Sequence, residues 1–299
     1  MSDRLDLTAY LEAHRATVDT ALDRVLPPES AAPITIHRAM RYSVLAPGKR
    51  LRPILVIAGA EAVGGRADAV LDTACALELI HAYSLIHDDL PAMDDDDYRR
   101  GRLTNHRVFG EAMAILAGDA LLTLAFRLIA GNATRVAAPA IVGAVVAEVA
   151  DAAGTDGMVG GQVVDIESEG KAISAEMLDY IHMHKTAALI RAALRVGALL
   201  AGARAEQVDA ISRAGQALGL AFQIVDDILD VEGSLAELGK SAGSDVRKKK
   251  ATYPALHGLP ASKQRARELI EETKRLLIPL GPAADPIRAL ADFVFERRS

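Results

Sequence analysis

The most constraining feature of this 299-residue chain is a row of carboxylates on a predicted helix that is otherwise apolar. Its polar members are Gln223, Asp226, Asp227 and Asp230. They follow the i, i+3, i+4, i+7 spacing of one helix face. The other faces carry Phe222, Ile224, Val225, Ile228 and Leu229. Carboxylates on a buried helix need protons or cations. Because no lysine or arginine stands among these residues, the row predicts a metal site.

A second acidic cluster closes another apolar helical pattern. Asp88 and Asp89 end that pattern, and four consecutive aspartates occupy 94–97. Asp88 and Asp94 are about 600° apart around an ideal helix, so they would not share a face. Pro91 interrupts the helical hydrogen bonds between them, and we expect the chain to fold Asp94 back toward Asp88. Carboxylates without cysteine ligands favour a hard cation such as Mg²⁺, which is commonly shared with substrate phosphates.

The net charge of −6 is concentrated in these two clusters. They hold nine of the 40 acidic residues, so elsewhere the 34 basic residues outnumber the acidic ones. The acidity is therefore local and predicts cation binding rather than nucleic-acid binding. The single cysteine, Cys75, lies in an apolar stretch and is expected to be a small buried hydrophobe.

Targeting and membrane signals are not expected from the sequence. Asp3, Arg4 and Asp6 argue against a secretory signal peptide. The longest uncharged apolar run, 136–147, contains Pro139. It is shorter than the roughly 18 to 20 residues that cross a bilayer. We therefore expect a cytoplasmic protein that does not enter a membrane.

The apolar periodicity is helical nearly everywhere, and no convincing strand pattern is present. Hydrophobic residues make up 51% of the chain and aromatic residues only 4%, which favours an all-α domain over a β sandwich or barrel. We expect one domain over 1–299, with breaks that include Gly160–Gly161 and a mobile loop over 232–250. The predicted helices are 7–25, 36–45, 53–63, 67–90, 106–130, 135–152, 174–200, 205–231, 263–277 and 286–297.

Basic residues recur near both acidic clusters. Gly48 precedes Lys49, Arg50 and Arg52 at the predicted entrance to a helix, where cations and backbone N–H groups bind diphosphate well. The other members of this set are Arg99, Arg100, Lys185, Lys240, Lys248, Lys249 and Lys250. Together they predict a cavity for metal ions and more than one phosphate group. His182 and His184 are interpreted as structural residues.

These motifs resemble those of the trans-isoprenyl diphosphate synthases, and among them most closely the bacterial farnesyl diphosphate synthases. The resemblance spans about residues 40 to 260 in the family's order. The matching segments are 48–53, 81–94 with 99–101, 117–122, 160–162, 184–186, 222–230, 238–240 and 250–254. Pro47, Ala187 and Lys249 depart from the family pattern, and Lys249 leaves open which lysine of 248–250 reaches phosphate.

The resemblance implies an all-α isoprenoid synthase fold around a central cavity, usually in a homodimer. It implies about three Mg²⁺ ions shared with substrate diphosphate. The metal ligands would be Asp88, Asp94, Asp226 and Asp230. The allylic diphosphate would be bound or ionised by Arg99, Lys185, Thr186, Gln223, Lys240 and Lys250. Isopentenyl diphosphate would be bound by Gly48, Lys49, Arg52, His81 and Arg100.

The implied reaction joins isopentenyl diphosphate to dimethylallyl or geranyl diphosphate through an allylic carbocation. The product tail should grow along the helix that carries Asp88. Tyr83 lies about 7 to 8 Å before Asp88 on that helix, followed by Ser84. An aromatic residue at this position goes with a fifteen-carbon product in the family, so farnesyl diphosphate is expected.

Other functions remain open at this point. They are a geranyl or geranylgeranyl diphosphate synthase, a noncatalytic subunit of a heteromeric prenyl synthase, a terpene cyclase, and a structural Mg²⁺- or Ca²⁺-binding protein. The intact motif at Asp226, Asp227 and Asp230 argues against the cyclase, and both acidic motifs argue against the noncatalytic subunit. A structural metal site has no use for the surrounding cations.

Overall fold

The computed structural model describes residues 5–136, 138–232 and 251–297. Its α-helices are α1 (Leu7–Val25), α2 (Ile34–Val44), α3 (Leu51–Glu61), α4 (Ala67–Asp88), α5 (Asn105–Phe109), α6 (Glu111–Gly131), α7 (Ile141–Ala153), α8 (Met158–Ser168), α9 (Ala175–Ile181), α10 (Ala188–Leu200), α11 (Ala205–Glu232), α12 (Tyr253–His257), α13 (Leu259–Leu276) and α14 (Asp285–Glu296). A π-helical turn, His182–Ala187, joins α9 to α10. Short 3₁₀ turns occupy Asn132–Thr134 and Ile278–Ala284.

The core is built around α3 and α10, which pack against each other and against α4 and α11. Every residue of α3 from Pro53 to Ala60 is buried, as expected for a helix that is apolar on all sides. The α3 and α10 backbones approach closely at two glycines. A β-carbon at Gly59 would lie 2.1 Å from the Leu194 carbonyl oxygen, and one at Gly197 would lie 1.9 Å from that of Val56. This close contact holds α3 and α10 together, and helices α4 and α11 pack against this pair.

The all-α prediction is confirmed, with local corrections. The predicted helix over 106–130 divides at Gly110, whose φ of 85° ends α5 before α6 begins. The predicted break at Gly160–Gly161 is wrong, because both residues lie within α8. The helix expected from 135 begins only at Ile141, after Pro139. Two helices that were not predicted, α8 and α12, are present. Cys75 is fully buried, as expected.

The only strands in the described part of the chain form a two-stranded antiparallel ribbon, which the sequence did not indicate. Strand β1 (Tyr98–Arg99) pairs with β2 (Arg102–Leu103). The turn between them places Arg100 at a φ of 52°. The ribbon therefore turns the arginine pair that follows the first acidic cluster back toward the helices.

Two helices have the length and hydropathy of a membrane-crossing segment, a criterion that core helices of water-soluble proteins also meet. In α4, 72% of the most apolar window is buried in the fold, so packing accounts for its composition. For the segment Glu111–Thr134 the share is 44%. Ile115 and Leu116 of α6 are 43% and 53% exposed. This exposed apolar surface could be covered in the homodimer that the resemblance implies. The homodimer stays a prediction.

Candidate active site

The loop before α3 opens onto a cavity of about 570 Å³. All five residues predicted to bind isopentenyl diphosphate line it: Gly48, Lys49, Arg52, His81 and Arg100. Phe222 of α11, residues of α14 and Arg297, which follows α14, also line this cavity. The loop, the turn of the ribbon and the middle of α4 therefore converge on one cavity, and the binding role that the resemblance implies for these residues stays a prediction.

The cations of this cavity lie close enough to repel one another. Burial and the charges of Arg297 and Arg100 lower the pKa of Lys49, against the attraction of Asp226. Burial also lowers the pKa values of Arg52 and Arg100. Such a cluster is suited to a polyanionic ligand, whose charge would offset the repulsion.

His81 is neutral at pH 7 in this setting. Burial, followed by the charges of Arg52 and Arg100, lowers its pKa well below the ordinary 6.5. A neutral imidazole can donate one hydrogen bond to a phosphate oxygen without adding to the positive charge.

Arg50 also lines the cavity, but its guanidinium is already bonded to protein groups. Its backbone has a φ of 51°, and its side chain is buried. The guanidinium donates to Glu78 of α4 at 2.8 Å and to Asp19 of α1 at 2.7 Å. It also donates to the Ala46 carbonyl at 3.0 Å. Arg50 thus ties the loop to two helices, a role that the sequence did not separate from phosphate binding.

The first acidic cluster folds as predicted. Helix α4 ends at Asp88, and the Asp94 N–H donates to the Asp88 carbonyl at 2.8 Å. Asp95 follows with a φ of 53°, which completes the turn. The charge of Asp94 contributes to raising the pKa of Asp88, so the two side chains are close. Asp89 instead faces the ribbon, where it accepts from Arg99 at 2.7 Å.

Several charged side chains at this end of α4 act on the pKa of Asp88. Burial is the main reason that its pKa is raised to about 6, and Asp94 adds to the rise. Lys185 and Arg99 oppose it, which places both predicted diphosphate-binding cations beside Asp88. A partly buried carboxylate close to another carboxylate is stabilised by a bound cation.

Asp88 is expected to make stability depend on pH when metal is removed. Its pKa is raised from 3.8 to about 6, so the folded state holds a proton that the unfolded state releases between these values. The free energy of unfolding therefore falls as pH rises through this window, by about 2 to 3 kcal/mol for this group. In EDTA, Asp88→Asn should be more stable than the wild type at pH 7, and the difference should vanish near pH ~4. Urea unfolding of both proteins across this range measures it, and parallel curves would refute it.

The second acidic motif lies on α11, and its first residue already has a cationic partner. Arg297, which follows α14, donates to the Asp226 carboxylate at 2.8 Å and to the Phe222 carbonyl at 3.0 Å. Its guanidinium also lies 4.0 Å above the Phe222 ring. Arg297 was not among the predicted site residues, and only the basic character of the C-terminal segment could have indicated it.

Asp230 behaves differently from Asp226. It is 4% exposed, and neither carboxylate oxygen has a hydrogen-bond partner within the described ranges. A buried carboxylate in this state has a large unmet demand for a cation or a proton. The donor set of Asp88, Asp94, Asp226 and Asp230 is oxygen only, which fits Mg²⁺.

No three histidine, cysteine or acidic side chains converge into a preformed metal cage anywhere in the described segments. Mg²⁺ is commonly held by only one or two carboxylates together with substrate phosphates, so that the sharing of ions with substrate stays a prediction.

Three of the predicted allylic residues, Lys185, Thr186 and Gln223, line a smaller cavity beside the π-helical turn. Arg99 lines a different cavity, together with Asp89. Lys185 and Thr186 lie on that turn, and Gln223 faces them from α11. Lys185 donates to Asp165 of α8 at 2.6 Å, and the Thr186 hydroxyl donates to the Gln223 side-chain oxygen at 2.7 Å. A single α-helix over 174–200 was expected instead. The extra residue of a π turn re-aims side chains and is common at functional sites. Lys240 and Lys250 lie outside the described residues.

The two proposed chain-length residues, Tyr83 and Ser84, are consecutive on α4 and therefore point in different directions. Tyr83 is 7% exposed and lies edge-on to His87, with ring centroids 5.7 Å apart. Burial and the charge of Asp88 raise the pKa of Tyr83 to about 12, so the ring lies within reach of the metal-binding end. Ser84 donates to the His81 carbonyl at 3.0 Å and is partly buried.

Comparison with known proteins settles the family. The polyprenyl synthetase family matches residues 34–276. The chain belongs to the polyprenyl synthetase family. It is 47% identical over 300 residues to a geranylgeranyl diphosphate synthase of Cyanophora paradoxa, covering 100% of this chain and 99% of that one. The family has prenyltransferase activity, generally with Mg²⁺, which matches the oxygen-only donor set.

Two solved structures of polyprenyl synthetases share the fold. An FPP/GFPP synthase from Zymomonas mobilis has a TM-score of 0.87 at 33% identity, covering 97% of this chain and 99% of that one. A geranylgeranyl pyrophosphate synthetase from Pyrococcus horikoshii has a TM-score of 0.88 at 32% identity, covering 97% and 98%. The isoprenoid synthase fold predicted from the motifs is therefore confirmed, and this polyprenyl synthetase is a prenyltransferase.

Proposed function

We propose that this chain condenses isopentenyl diphosphate with an allylic diphosphate, head to tail, and releases geranylgeranyl diphosphate. The observation that carries the reaction class is the pairing of two sites. One cavity gathers four side chains suited to a diphosphate, Lys49, Arg52, His81 and Arg100. The other is lined by Lys185, Thr186 and Gln223, and Lys185 lies close enough to Asp88 for its charge to act on the pKa of that carboxylate. Asp226 lies near the first cavity, since its charge acts on Lys49 and on Arg52.

The residues of the second site have distinct roles in this proposal. Lys185 and Arg99 hold the allylic diphosphate beside Asp88. Mg²⁺, when bound by the carboxylates, supplies positive charge that makes the diphosphate a better leaving group. The side-chain oxygen of Gln223 and the Thr186 carbonyl stabilise the allylic cation where its charge develops.

The residues of the first site hold the second substrate. Lys49, Arg52 and Arg100 bind the diphosphate of isopentenyl diphosphate, and neutral His81 donates a hydrogen bond to it. The carbon–carbon bond forms when its double bond attacks the cation. The proton released afterwards goes to the departing diphosphate. The carboxylates Glu78, Asp165 and Asp227, which line the two cavities, already accept hydrogen bonds from protein groups. Apolar side chains of α4 and α11 exclude water, which would otherwise quench the cation.

The twenty-carbon product is supported by the relatives. The Cyanophora paradoxa protein, matched over its length, is a geranylgeranyl diphosphate synthase, and so is the Pyrococcus horikoshii structure by its description. The fifteen-carbon product expected from the sequence is the second candidate. It is favoured by Tyr83, whose buried ring stands beneath Asp88.

Product analysis tests the proposal directly. Purified protein is incubated with Mg²⁺, isopentenyl diphosphate and dimethylallyl diphosphate, and the alcohols are identified by mass after dephosphorylation. Geranylgeraniol as the main alcohol supports the proposal. Farnesol would keep the reaction class and transfer the assignment to the second candidate. Absence of any prenyl alcohol from folded, metal-loaded protein would reject the catalytic function.

Replacing Tyr83 is expected to lengthen the product, whichever of the two products the wild type makes. Tyr83→Ala removes a buried ring from the path along α4, so the prenyl tail can extend by at least one five-carbon unit. The same mass analysis measures the change in chain length. The control is Tyr98→Ala, which removes a ring that is 66% exposed and should leave the product unchanged. An unaltered product from Tyr83→Ala would remove this residue from the length-limiting wall.

A further inference from the structure

A continuous hydrogen-bonded chain runs from the π-helical turn through α11 to the start of α12. The Thr186 hydroxyl donates to Gln223 Oε1 at 2.7 Å. Gln223 Nε2 donates to Asp227 Oδ1 at 3.0 Å. The other oxygen, Asp227 Oδ2, accepts the Tyr253 backbone N–H at 2.9 Å and faces His182 Nε2 at 3.3 Å. The Gln223 amide is thus held at both of its ends.

The carboxylate decides which way the amide points. An ionised carboxylate only accepts hydrogen bonds, whereas the Thr186 hydroxyl can donate or accept. The amide nitrogen must therefore face Asp227, and the amide oxygen is left facing Thr186 and the cavity. Without Asp227, rotation of the amide by half a turn would satisfy Thr186 equally well and would present an NH₂ group to the cavity.

Asp227 is itself held by a backbone donor, the Tyr253 N–H, and contacts the buried His182 ring. The Tyr253 N–H belongs to the backbone of α12, and His182 is 4% exposed beneath the Tyr253 ring. Asp227 is 3% exposed, and its carboxylate accepts hydrogen bonds from the Gln223 amide and the Tyr253 backbone N–H. It therefore differs from its neighbour Asp230, whose oxygens have no such partner in the described part of the chain.

We infer that Asp227, held by His182 and the Tyr253 backbone, is a positioning residue that orients the Gln223 amide with its oxygen toward the reacting cation. The inference rests on the proposed function for the identity of the cation. It assigns the middle aspartate of the second acidic motif to orientation, not to metal binding. The difference matters for catalysis, because an amide oxygen stabilises a developing positive charge and an amide nitrogen with its hydrogens opposes it.

Asp227→Asn reverses the amide with almost no change in shape. The Tyr253 N–H keeps the carboxamide oxygen that remains at position 227, so the new NH₂ group faces Gln223 and draws the Gln223 oxygen toward itself. The amide hydrogens of Gln223 then face Thr186 and the cavity. We expect kcat to fall by about 10²-fold, comparable to losing one preorganised polar group. The KM values for both substrates should change by no more than about three-fold, because no substrate-binding side chain is altered.

A second substitution is expected to restore the original arrangement. In the double variant Asp227→Asn with Gln223→Glu, the asparagine NH₂ donates to one glutamate oxygen, and the other accepts from Thr186. An oxygen again faces the cavity, so kcat should return to within about 10-fold of the wild type. Gln223→Glu alone places two carboxylates in contact and should be slow. The control is Asp179→Asn, which removes the carboxylate that accepts from the Tyr253 hydroxyl at 3.2 Å and should keep kcat.

The outcomes separate this inference from the proposed function. Asp227→Asn with kcat close to the wild-type value, or a double variant no faster than both single variants, overturns it. A wild type that makes no prenyl product rejects the proposed function instead. The hydrogen bond between Gln223 and Asp227 can also be tested in the wild type without turnover, by NMR of the ¹⁵N-labelled Gln223 side chain. This measurement applies if the wild type is inactive or if Asp227→Asn fails to fold. Slow hydrogen exchange of that amide supports the bond to Asp227, and exchange at the rate of a free glutamine overturns it.

Discussion

Asp88→Ala is expected to lower kcat by about 10³-fold or more, because it removes a partly buried carboxylate at the end of α4 that is suited to binding a cation. Burial raises the pKa of Asp88 to about 6, and the neighbouring Asp94 adds to the rise. Two carboxylates this close together repel each other, and a divalent cation bound between them would offset that repulsion. Losing one metal ligand leaves less positive charge to neutralise the diphosphate in the transition state. A barrier higher by about 4 kcal/mol corresponds to a 10³-fold slower reaction.

Single-turnover rates with geranyl diphosphate and isopentenyl diphosphate, across a range of Mg²⁺ concentrations, measure the loss. The variant should also need more Mg²⁺ for its residual activity. Asp97→Ala is the matched control from the same acidic run. Asp97 is about half exposed and pairs with the exposed Arg107, so its removal should change kcat by less than about three-fold. A rate for Asp88→Ala within a few-fold of the wild type would refute the metal assignment at this helix end.

The parts of the site that could be predicted are those in which local chemistry determines position. Pro91 ends α4, and Asp94 then returns to within hydrogen-bond distance of the Asp88 backbone, as the spacing indicated. The loop at Gly48 delivers Lys49 and Arg52 to one cavity with His81. In each case a short segment carries both the reactive groups and the residue that bends the chain.

The parts that could not be predicted depend on contacts between distant segments. Arg297 neutralises Asp226 across 71 positions of sequence, and no local pattern encodes that pairing. Gly160 and Gly161 were interpreted as a helix break. In the structure, a β-carbon on Gly161 would lie 2.3 Å from the Lys185 backbone nitrogen, so this glycine permits a close approach within α8. A glycine that makes room for a neighbour and a glycine that ends a helix look alike in one sequence.

Lys49, Arg50 and Arg52 illustrate the same limit within four residues. All three are cations beside a glycine turn, and the sequence offers no reason to separate them. The left-handed backbone at Arg50 turns one of them into the core, where Glu78 is 4% exposed and Arg50 is also 4% exposed. Glu78 also attracts Arg52 and Arg100, since its charge acts to raise the pKa of each against the effect of burial. The wall of the binding cavity therefore contains a buried ion pair that ties the loop before α3 to α4.

Breaking that ion pair is expected to have the largest effect on stability. Arg50→Met leaves the Glu78 carboxylate buried without its main partner, and removing one member of a buried pair costs about 3 to 5 kcal/mol of unfolding free energy. Urea unfolding, monitored by circular dichroism, measures the loss. The double variant Arg50→Met with Glu78→Gln removes the stranded charge, so it should be more stable than Arg50→Met by about 1 to 3 kcal/mol.

The comparison with an exposed pair isolates burial as the cause. Arg66 and Asp68 also lie 2.8 Å apart, but their side chains are 80% and 66% exposed. Arg66→Met should leave the unfolding curve unchanged, because water solvates the carboxylate that remains. Equal losses from Arg50→Met and Arg66→Met would show that the Arg50 pair does not anchor the loop. If the anchor is confirmed, folded Arg50→Met should also show a raised KM for isopentenyl diphosphate, because Lys49 is held in place by the same turn.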